Sequence, residues 1–251
     1  MQVDLTRLLE SIANKYPKKL VDIQLKDIPR IAFNIKLIAS RKGTDITVCD
    51  IGGGIGLFSV GCAALGMKSI LVDDFNDSIN KEVGYSVLDI HKTYGVEVIS
   101  IDVIDNWRSL DYESLDVVTT FGSIEHWHHS PKRLFKSLKQ SLKSDGLFVI
   151  GAPNCVNLRK RIAVPLGYGS WSTIKDWYEP DVFRGHVREP SVSDLIYIAY
   201  DIGLKRTAVL GKNWSGHYSG NRLIRIGTLV FDKILEKYPS LCSDIYIIGY
   251  K

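Results

Sequence analysis

The residues best suited to ligand chemistry cluster around one glycine-rich segment. Asp50 precedes Gly52, Gly53, Gly54 and Gly56, and further acids follow at Asp73, Asp74 and Asp102. A glycine-rich turn after a buried strand lets backbone approach a ligand and aims the next helix N-terminus at it. Spacing decides which ligand. The dinucleotide pattern G-x-G-x-x-G cannot be placed, because its last position falls on Leu57 or Ser59. No Gly-Lys-Ser/Thr follows, so a P-loop fails as well. What remains is G-x-G-x-G led by a carboxylate, which suits a cofactor bearing an ammonium group better than a pyrophosphate. Asp73, in Ile70-Leu-Val-Asp73-Asp74, is placed to accept from a ribose diol, and Asp102, in Ser100-Ile-Asp-Val103, to meet an adenine amino group.

A second group is basic and aromatic. Glu125-His126-Trp127-His128-His129 offers imidazoles whose ordinary pKa lies near neutrality, and His186 stands in Arg184-Gly-His-Val-Arg188. His126, His129 and His186 are the candidate catalytic bases. Each also has a plainer reading, as a turn residue, a solvated residue before a helix, or a loop cap. Tyr168, Trp171, Trp177 and Tyr178 suit stacking on a sugar or another ring, or form a small core of their own.

The elements that must position these groups read as alternating strands and helices. Apolar residues at Leu5, Leu8, Leu9 and Ile12, then at Ile28, Ile31, Ile35 and Ile38, predict an N-terminal helical cap over residues 1–42. Strands are expected at 46–50, 69–73, 96–101, 114–120 and 147–150, with a helix over 58–65. Interleaving of this kind implies a doubly wound, mostly parallel sheet covered on both faces. A further helix is expected from Pro131 to about Lys143, with Ser130 as N-cap and Gly146 as its stop. Residues 154–190 lack a clean period and read as a lid insertion after the fifth strand. A helix near 193–201 ended by Gly203, a strand at 204–210, a helix within 221–238 and a last strand at 244–250 complete the chain. The domain reading is thus a cap, 1–42, and a main domain, 43–251, that includes the lid.

Composition narrows the class. With 251 residues, 45% of them apolar, the chain is ordinary globular material. Its 32 basic and 28 acidic residues form no long like-charged block, which argues against a nucleic-acid partner. Four cysteines without a C-x-x-C pair indicate neither a zinc site nor a disulfide framework, and reduced thiols fit a cytoplasmic protein. The early acid and missing apolar stretch argue against a signal peptide, and the longest uncharged run, Ile51 to Met67, is too short and glycine-rich for membrane insertion. A homodimer is left open.

On these residues the chain resembles class I S-adenosylmethionine-dependent methyltransferases over nearly its whole length. Asp50 to Gly56 looks like their first motif, Asp73 their ribose acid, Asp102 their adenine-side acid, and Phe121 to His126 the segment after their fourth strand. The wording of Ser123-Ile-Glu-His126, Gly151-Ala-Pro-Asn154 and Gly185-His-Val-Arg188 is similar to a small-molecule subgroup associated with surface-glycan or secondary-metabolite pathways. The resemblance implies a seven-stranded Rossmann-like sheet whose last strand runs antiparallel. It also implies S-adenosylmethionine as cofactor, bound by Asp50, Gly52, Gly53, Gly54, Gly56, Asp73, Asp74, Asp102, Val103 and Phe121.

Methyl transfer from a sulfonium asks mainly for alignment, which can supply about 7–11 kcal/mol. The expected acceptor is a small molecule or glycan, with O-methylation of a sugar hydroxyl preferred over N-methylation. RNA methylation and a non-catalytic cofactor-binding role are the rivals. A Glu-x-x-Glu-His metal arrangement would need a carboxylate where Gly122 stands; with only Glu125, His126 and His186 left to contribute, no metal is expected.

Overall fold

The computed structural model describes residues 4–76, 87–106, 113–169 and 172–251. Trp171 lies outside them. The elements, in chain order, are α1 (Leu5–Ala13), α2 (Lys18–Lys42), β1 (Thr47–Ile51), α3 (Leu57–Ala64), β2 (Lys68–Asp73), α4 (Leu88–Thr93), β3 (Glu97–Ser100), α5 (Val103–Asn106) and β4 (Leu115–Phe121). They continue with α6 (Lys132–Ser141), β5 (Leu142–Pro153), α7 (Leu158–Ala163), α8 (Ile174–Tyr178), α9 (Val192–Asp201), β6 (Lys205–Lys212), α10 (Trp214–His217), α11 (Arg222–Leu235) and β7 (Asp244–Tyr250).

The strands form one seven-stranded sheet in the order β3-β2-β1-β4-β5-β7-β6. β1 pairs in parallel with β2 and β4, and β2 with β3, while β6 and β7 are antiparallel. The expected α/β fold with an antiparallel last strand is therefore present. A central parallel strand is covered on both faces and must be apolar throughout. In β1, Val48, Cys49 and Ile51 are buried accordingly, and the one polar residue among them is Asp50.

The chain divides into two compact units, one of residues 1–120, 133–147 and 251, the other of 121–132 and 148–250. In the first, Asp4 caps α1 by accepting from the amides of Thr6 at 3.1 Å and Arg7 at 3.4 Å. The periodic residues Leu9, Ile12, Ile28, Ile31, Ile35 and Ile38 are buried, as their spacing predicts. Leu9 and Ile35 close over Gly61 of α3: a Cβ there would lie 2.7 Å from Ile35 Cδ1 and 2.8 Å from Leu9 Cδ2.

One boundary differs from expectation. The helix after Pro131 ends at Ser141, and the chain becomes strand at once with Leu142, so Gly146 lies inside β5 and does not stop the helix. The turning residue is Asp145, whose φ of 63° supplies the left-handed backbone. Leu142 is buried from the strand and not from the helix.

In the second unit, α9 carries a capping box in which Ser191 and Asp194 exchange side-chain and backbone hydrogen bonds, and Gly203 ends the helix region with a φ of 74°. Asn154 is fully buried; its Nδ2 donates to the carbonyls of Ser240 at 3.0 Å and Cys242 at 2.9 Å, and its Oδ1 accepts from the Val156 amide. The Gly-Ala-Pro-Asn wording thus marks a structural joint between the end of β5 and the start of β7. Tyr168, Trp177 and Tyr178 are exposed and do not form a core of their own. Among the described residues no helix is long and apolar enough to cross a membrane.

Gly61 and Gly227 should respond in opposite directions to alanine. Gly61 sits among fully buried side chains, so Gly61→Ala should destabilise by about 1–3 kcal/mol. Gly227, inside α11 with nothing within 4 Å, should gain about 0.5–1 kcal/mol from Gly227→Ala. Urea midpoints of both variants check this; equal midpoints would refute the packing described at α3.

Candidate functional site

In the first unit the glycine segment is a tight turn between β1 and α3. Gly52 and Gly54 adopt φ of 70° and 55°, the left-handed region in which a side chain is strained. Gly53 is required for a different reason: a Cβ there would collide with the carboxylate of Asp50. Gly56 occupies the N-cap of α3 and provides no side-chain cap for the first backbone amides of that helix.

Asp50 lies beneath this turn at 2% exposure. Thr119 of β4 donates to its Oδ1 at 2.7 Å and Ser59 of α3 to its Oδ2 at 3.3 Å. Burial drives its pKa up, against those two hydrogen bonds, to about 7. The carboxyl therefore acts from inside, joining β1, β4 and α3 under the glycines.

Asp73, at the end of β2, faces the same turn from the neighbouring strand. Its Oδ2 accepts from the Gly54 amide at 2.8 Å and its Oδ1 from the Phe75 amide at 2.7 Å. Phe75 is buried with a φ of 52°, a conformation that the second bond holds in place. Asp73 thus ties the glycine turn to the end of β2. Asp74 accepts from the amide and side chain of Asn76. Asp102 is exposed and accepts from the Ile104 amide at 3.0 Å, while Val103 is buried.

A contributor that the glycine spacing does not reveal is Tyr16, between α1 and α2. It is buried, its hydroxyl reaches the Gly56 carbonyl at 3.5 Å, and burial raises its pKa. The connection between the N-terminal helices thus reaches the glycine turn. No local pattern around Tyr16 announces this, because the contact spans forty residues.

The histidines belong to the second unit. His126 ends a 3-10 turn, Ile124–His126. Its Nδ1 lies 3.0 Å from the Arg184 carbonyl and 3.2 Å from the Gly185 carbonyl. Carbonyls only accept, so Nδ1 carries the proton and Nε2 the lone pair. The ring of His186 stands edge-on to that of His126, with centroids 4.8 Å apart. Glu125 is buried, and its backbone carbonyl accepts from Val187 at 2.7 Å and Arg188 at 3.1 Å, tying the turn to the loop that bears His186.

His186 Nδ1 meets Glu189 Oε1 at 2.8 Å, and Lys160 Nζ meets Glu189 Oε2. The hydrogen bond that His186 donates to Glu189 raises the pKa of His186. Burial alone would raise that of Glu189, but the bonds from His186 and Lys160 outweigh it and hold it low. Two of the three expected bases therefore come together, whereas His129 is exposed and lies outside the group formed by Glu125, His126 and His186. Glu189 and Lys160 went unread, since one stands in an aperiodic loop and the other in a run of basic residues that resembles a solvated face. Phe121 packs edge-on against Tyr246 at 6.0 Å, and a Cβ at Gly151 would press on both rings.

A family described as the methyltransferase domain matches residues 24–209. The chain belongs to that family. It is a methyltransferase with the Rossmann-like fold of its relatives, and S-adenosylmethionine is the cofactor that the family uses. No curated protein gives a match.

Solved structures share the fold at low identity. An S-adenosylmethionine-dependent methyltransferase from Archaeoglobus fulgidus is 21% identical, with a TM-score of 0.56 over 89% of this chain and 93% of that one. A possible histamine N-methyltransferase from Thermotoga maritima is 18% identical, with a TM-score of 0.57 over 98% and 99% of the two chains. Phosphoethanolamine N-methyltransferase 2 of Haemonchus contortus, in complex with S-adenosylmethionine, is 17% identical, with a TM-score of 0.57 over 88% of this chain and 52% of that one. The glycine turn fits such a cofactor: left-handed glycines keep the turn free of side chains, and the Asp73 carboxylate stands directly against it.

The methyltransferase's buried Asp50 makes stability depend on pH. In the unfolded chain its carboxyl ionises near pH 4, in the native chain only near 7. Between those values the unfolded state binds fewer protons, so stability falls as pH rises, by up to about 4 kcal/mol. Urea midpoints of the wild type should therefore fall from pH 4.5 to pH 7.5 more steeply than those of Asp50→Asn. Parallel profiles would show that Asp50 is ionised throughout.

Proposed function

We propose that this methyltransferase transfers the methyl group to an oxygen of a small-molecule or glycan acceptor, with a sugar hydroxyl of surface-polysaccharide or secondary metabolism preferred. The observation that carries the cofactor half of this reading is the bond from the Gly54 amide to Asp73, which sets a carboxylate against the glycine turn across adjacent strands. Gly52, Gly53, Gly54 and Gly56 would hold the amino-acid end by backbone. Asp73 would take the ribose hydroxyls, and Asp102 with Val103 the adenine. Asp74 follows Asp73 in the chain, and Phe121 ends β4. When bound, S-adenosylmethionine supplies a methyl group made electrophilic by its sulfonium.

Transfer to a hydroxyl needs a group to take its proton, and transfer to a neutral amine does not. His126 supports the first case, because two backbone carbonyls fix its Nδ1 proton and leave the basic lone pair on Nε2. His186 and His129 are the further candidates. Tyr168, Trp177 and Tyr178, exposed in the segment after β5, offer ring faces of the kind on which sugars stack. Transfer to nitrogen is the second reading, favoured by the Thermotoga protein, described as a possible histamine N-methyltransferase, and by the Haemonchus phosphoethanolamine N-methyltransferase 2.

Calorimetric titration with S-adenosylmethionine should show Asp73→Ala weakening affinity at least tenfold at about 1 kcal/mol per lost hydrogen bond or more. Unchanged affinity in a folded Asp73→Ala protein would refute the ribose assignment.

Methyl-labelled cofactor offered with neutral saccharides and with amines tests the acceptor. Label in the saccharides, lost by about 10²–10⁴-fold in His126→Ala with cofactor affinity intact, is expected. Label confined to amines would establish the second reading.

A further inference from the structure

Glu125, His126 and His186 each present one ligand atom, and the three atoms lie within 4.8 Å of one another. We propose that they form a binding site for one divalent first-row transition-metal ion, taken by the two imidazoles and the Glu125 carboxylate. The proposal concerns this cluster alone and does not rest on the transfer reading above.

What holds the rings argues for it. Metal-binding histidines donate their second ring N–H to a carbonyl or a carboxylate, which fixes the tautomer and orients the ligand nitrogen. Both partner types occur here. His126 Nδ1 meets the carbonyls of Arg184 and Gly185, and His186 Nδ1 meets Glu189 Oε1 at 2.8 Å. Each contact directs the proton to Nδ1 and the lone pair to Nε2. Lys160 binds the other oxygen of Glu189, so the carboxylate that orients His186 is itself anchored.

Charge and rigidity agree. With neutral imidazoles the group holds Glu125 and Glu189 against Lys160, a net negative charge that a dication would reverse. Glu125 is 2% exposed, and its carbonyl accepts two amides of the loop that carries His186, so two of the ligand-bearing segments are bolted together. Ligands at about 2.0–2.2 Å from an ion stand at most about 4.4 Å apart, so side-chain movement under about 1 Å closes the set. Two imidazoles and one carboxylate select a first-row transition ion over magnesium or calcium, and three protein ligands leave positions open for an oxygen ligand. The missing carboxylate at Gly122, for want of which no metal is expected from sequence, is thereby no obstacle: His186 completes the set from 60 residues downstream of His126. An occupied site would take the Nε2 lone pair of His126 from proton transfer and would acidify a bound hydroxyl in its place.

Full-length protein stripped with EDTA and dialysed should bind Zn²⁺ and Co²⁺ by calorimetry at one ion per chain, and bound Co²⁺ should show visible absorption bands. His126→Ala and His186→Ala should each weaken binding at least about tenfold. Glu189→Gln, which leaves all three ligands in place, should weaken it by about 10–100-fold through loss of orientation. His217→Ala, whose ring pairs with Asp232 outside the cluster, should bind as the wild type does. His186 is 38% exposed, so its replacement is tolerated by the fold, and melting curves verify that. Absence of saturable binding by the folded chain, or wild-type affinity in both histidine variants, would overturn the site and leave a hydrogen-bonded His–Glu–Lys joint. Titration of the same variants with S-adenosylmethionine reads the cofactor assignment separately.

Discussion

Asp50 is an ionisable group taken almost wholly out of water at the end of a central strand, and a carboxyl in that position costs several kcal/mol unless hydrogen bonds meet it. Thr119 and Ser59 meet it from the next strand and the next helix. The consequences spread outward. The residue over the carboxylate must be glycine, because no Cβ fits at Gly53. The chain must then turn through left-handed backbone at Gly52 and Gly54 to enter α3. That turn hands the Gly54 amide to Asp73 on β2. One buried carboxyl thus couples the spacing of the glycines, the placement of the second acid and the direction of the first helix after the loop.

The second unit applies the same economy to different groups. Buried Asn154 satisfies carbonyls of the stretch before β7 and thereby joins the end of β5 to the last strand. Glu125 joins the 3-10 turn to the 184–188 loop through its backbone, and Glu189 joins that loop to α7 through Lys160. In each case a polar residue that looks available for chemistry in the sequence spends part of its hydrogen-bonding capacity on structure. The site is the remainder.

Legibility in the sequence follows the range of the interaction. Strand ends, the glycine turn and the amphipathic N-terminal helices were readable because their causes are local: periodicity, caps and left-handed glycines all act within a few residues. The helix before β5 is less legible, because Gly146 has the look of a helix stop, whereas Asp145 carries the positive φ and the strand begins directly at Leu142. Aspartate reaches left-handed backbone at modest cost, and nothing in its neighbours signals it. Tyr16 against Gly56, and Glu189 between His186 and Lys160, depend on contacts made only in the fold. The candidate histidines fell between these cases. Residue type flagged His126 and His186, but only the structure pairs them and sets His129 apart.

A histidine named from sequence has no tautomer, and its chemistry is undefined until something fixes the proton. Here two carbonyls do so for His126 and one carboxylate does so for His186. The two acceptors are not equivalent. A carbonyl is neutral and holds the proton in place without making the ring much more basic. An ionised carboxylate also stabilises the charged ring, which is why the pKa of His186 rises. The pair therefore divides the work that a single imidazole would have to combine. His126 has its Nδ1 proton fixed by two carbonyls, while the bond to Glu189 favours the charged form of His186 and the nearby Lys160 opposes it. Replacing either acceptor would change which ring holds the proton while leaving both histidines in the sequence, so the chemistry of this cluster belongs to its supporting groups as much as to the imidazoles.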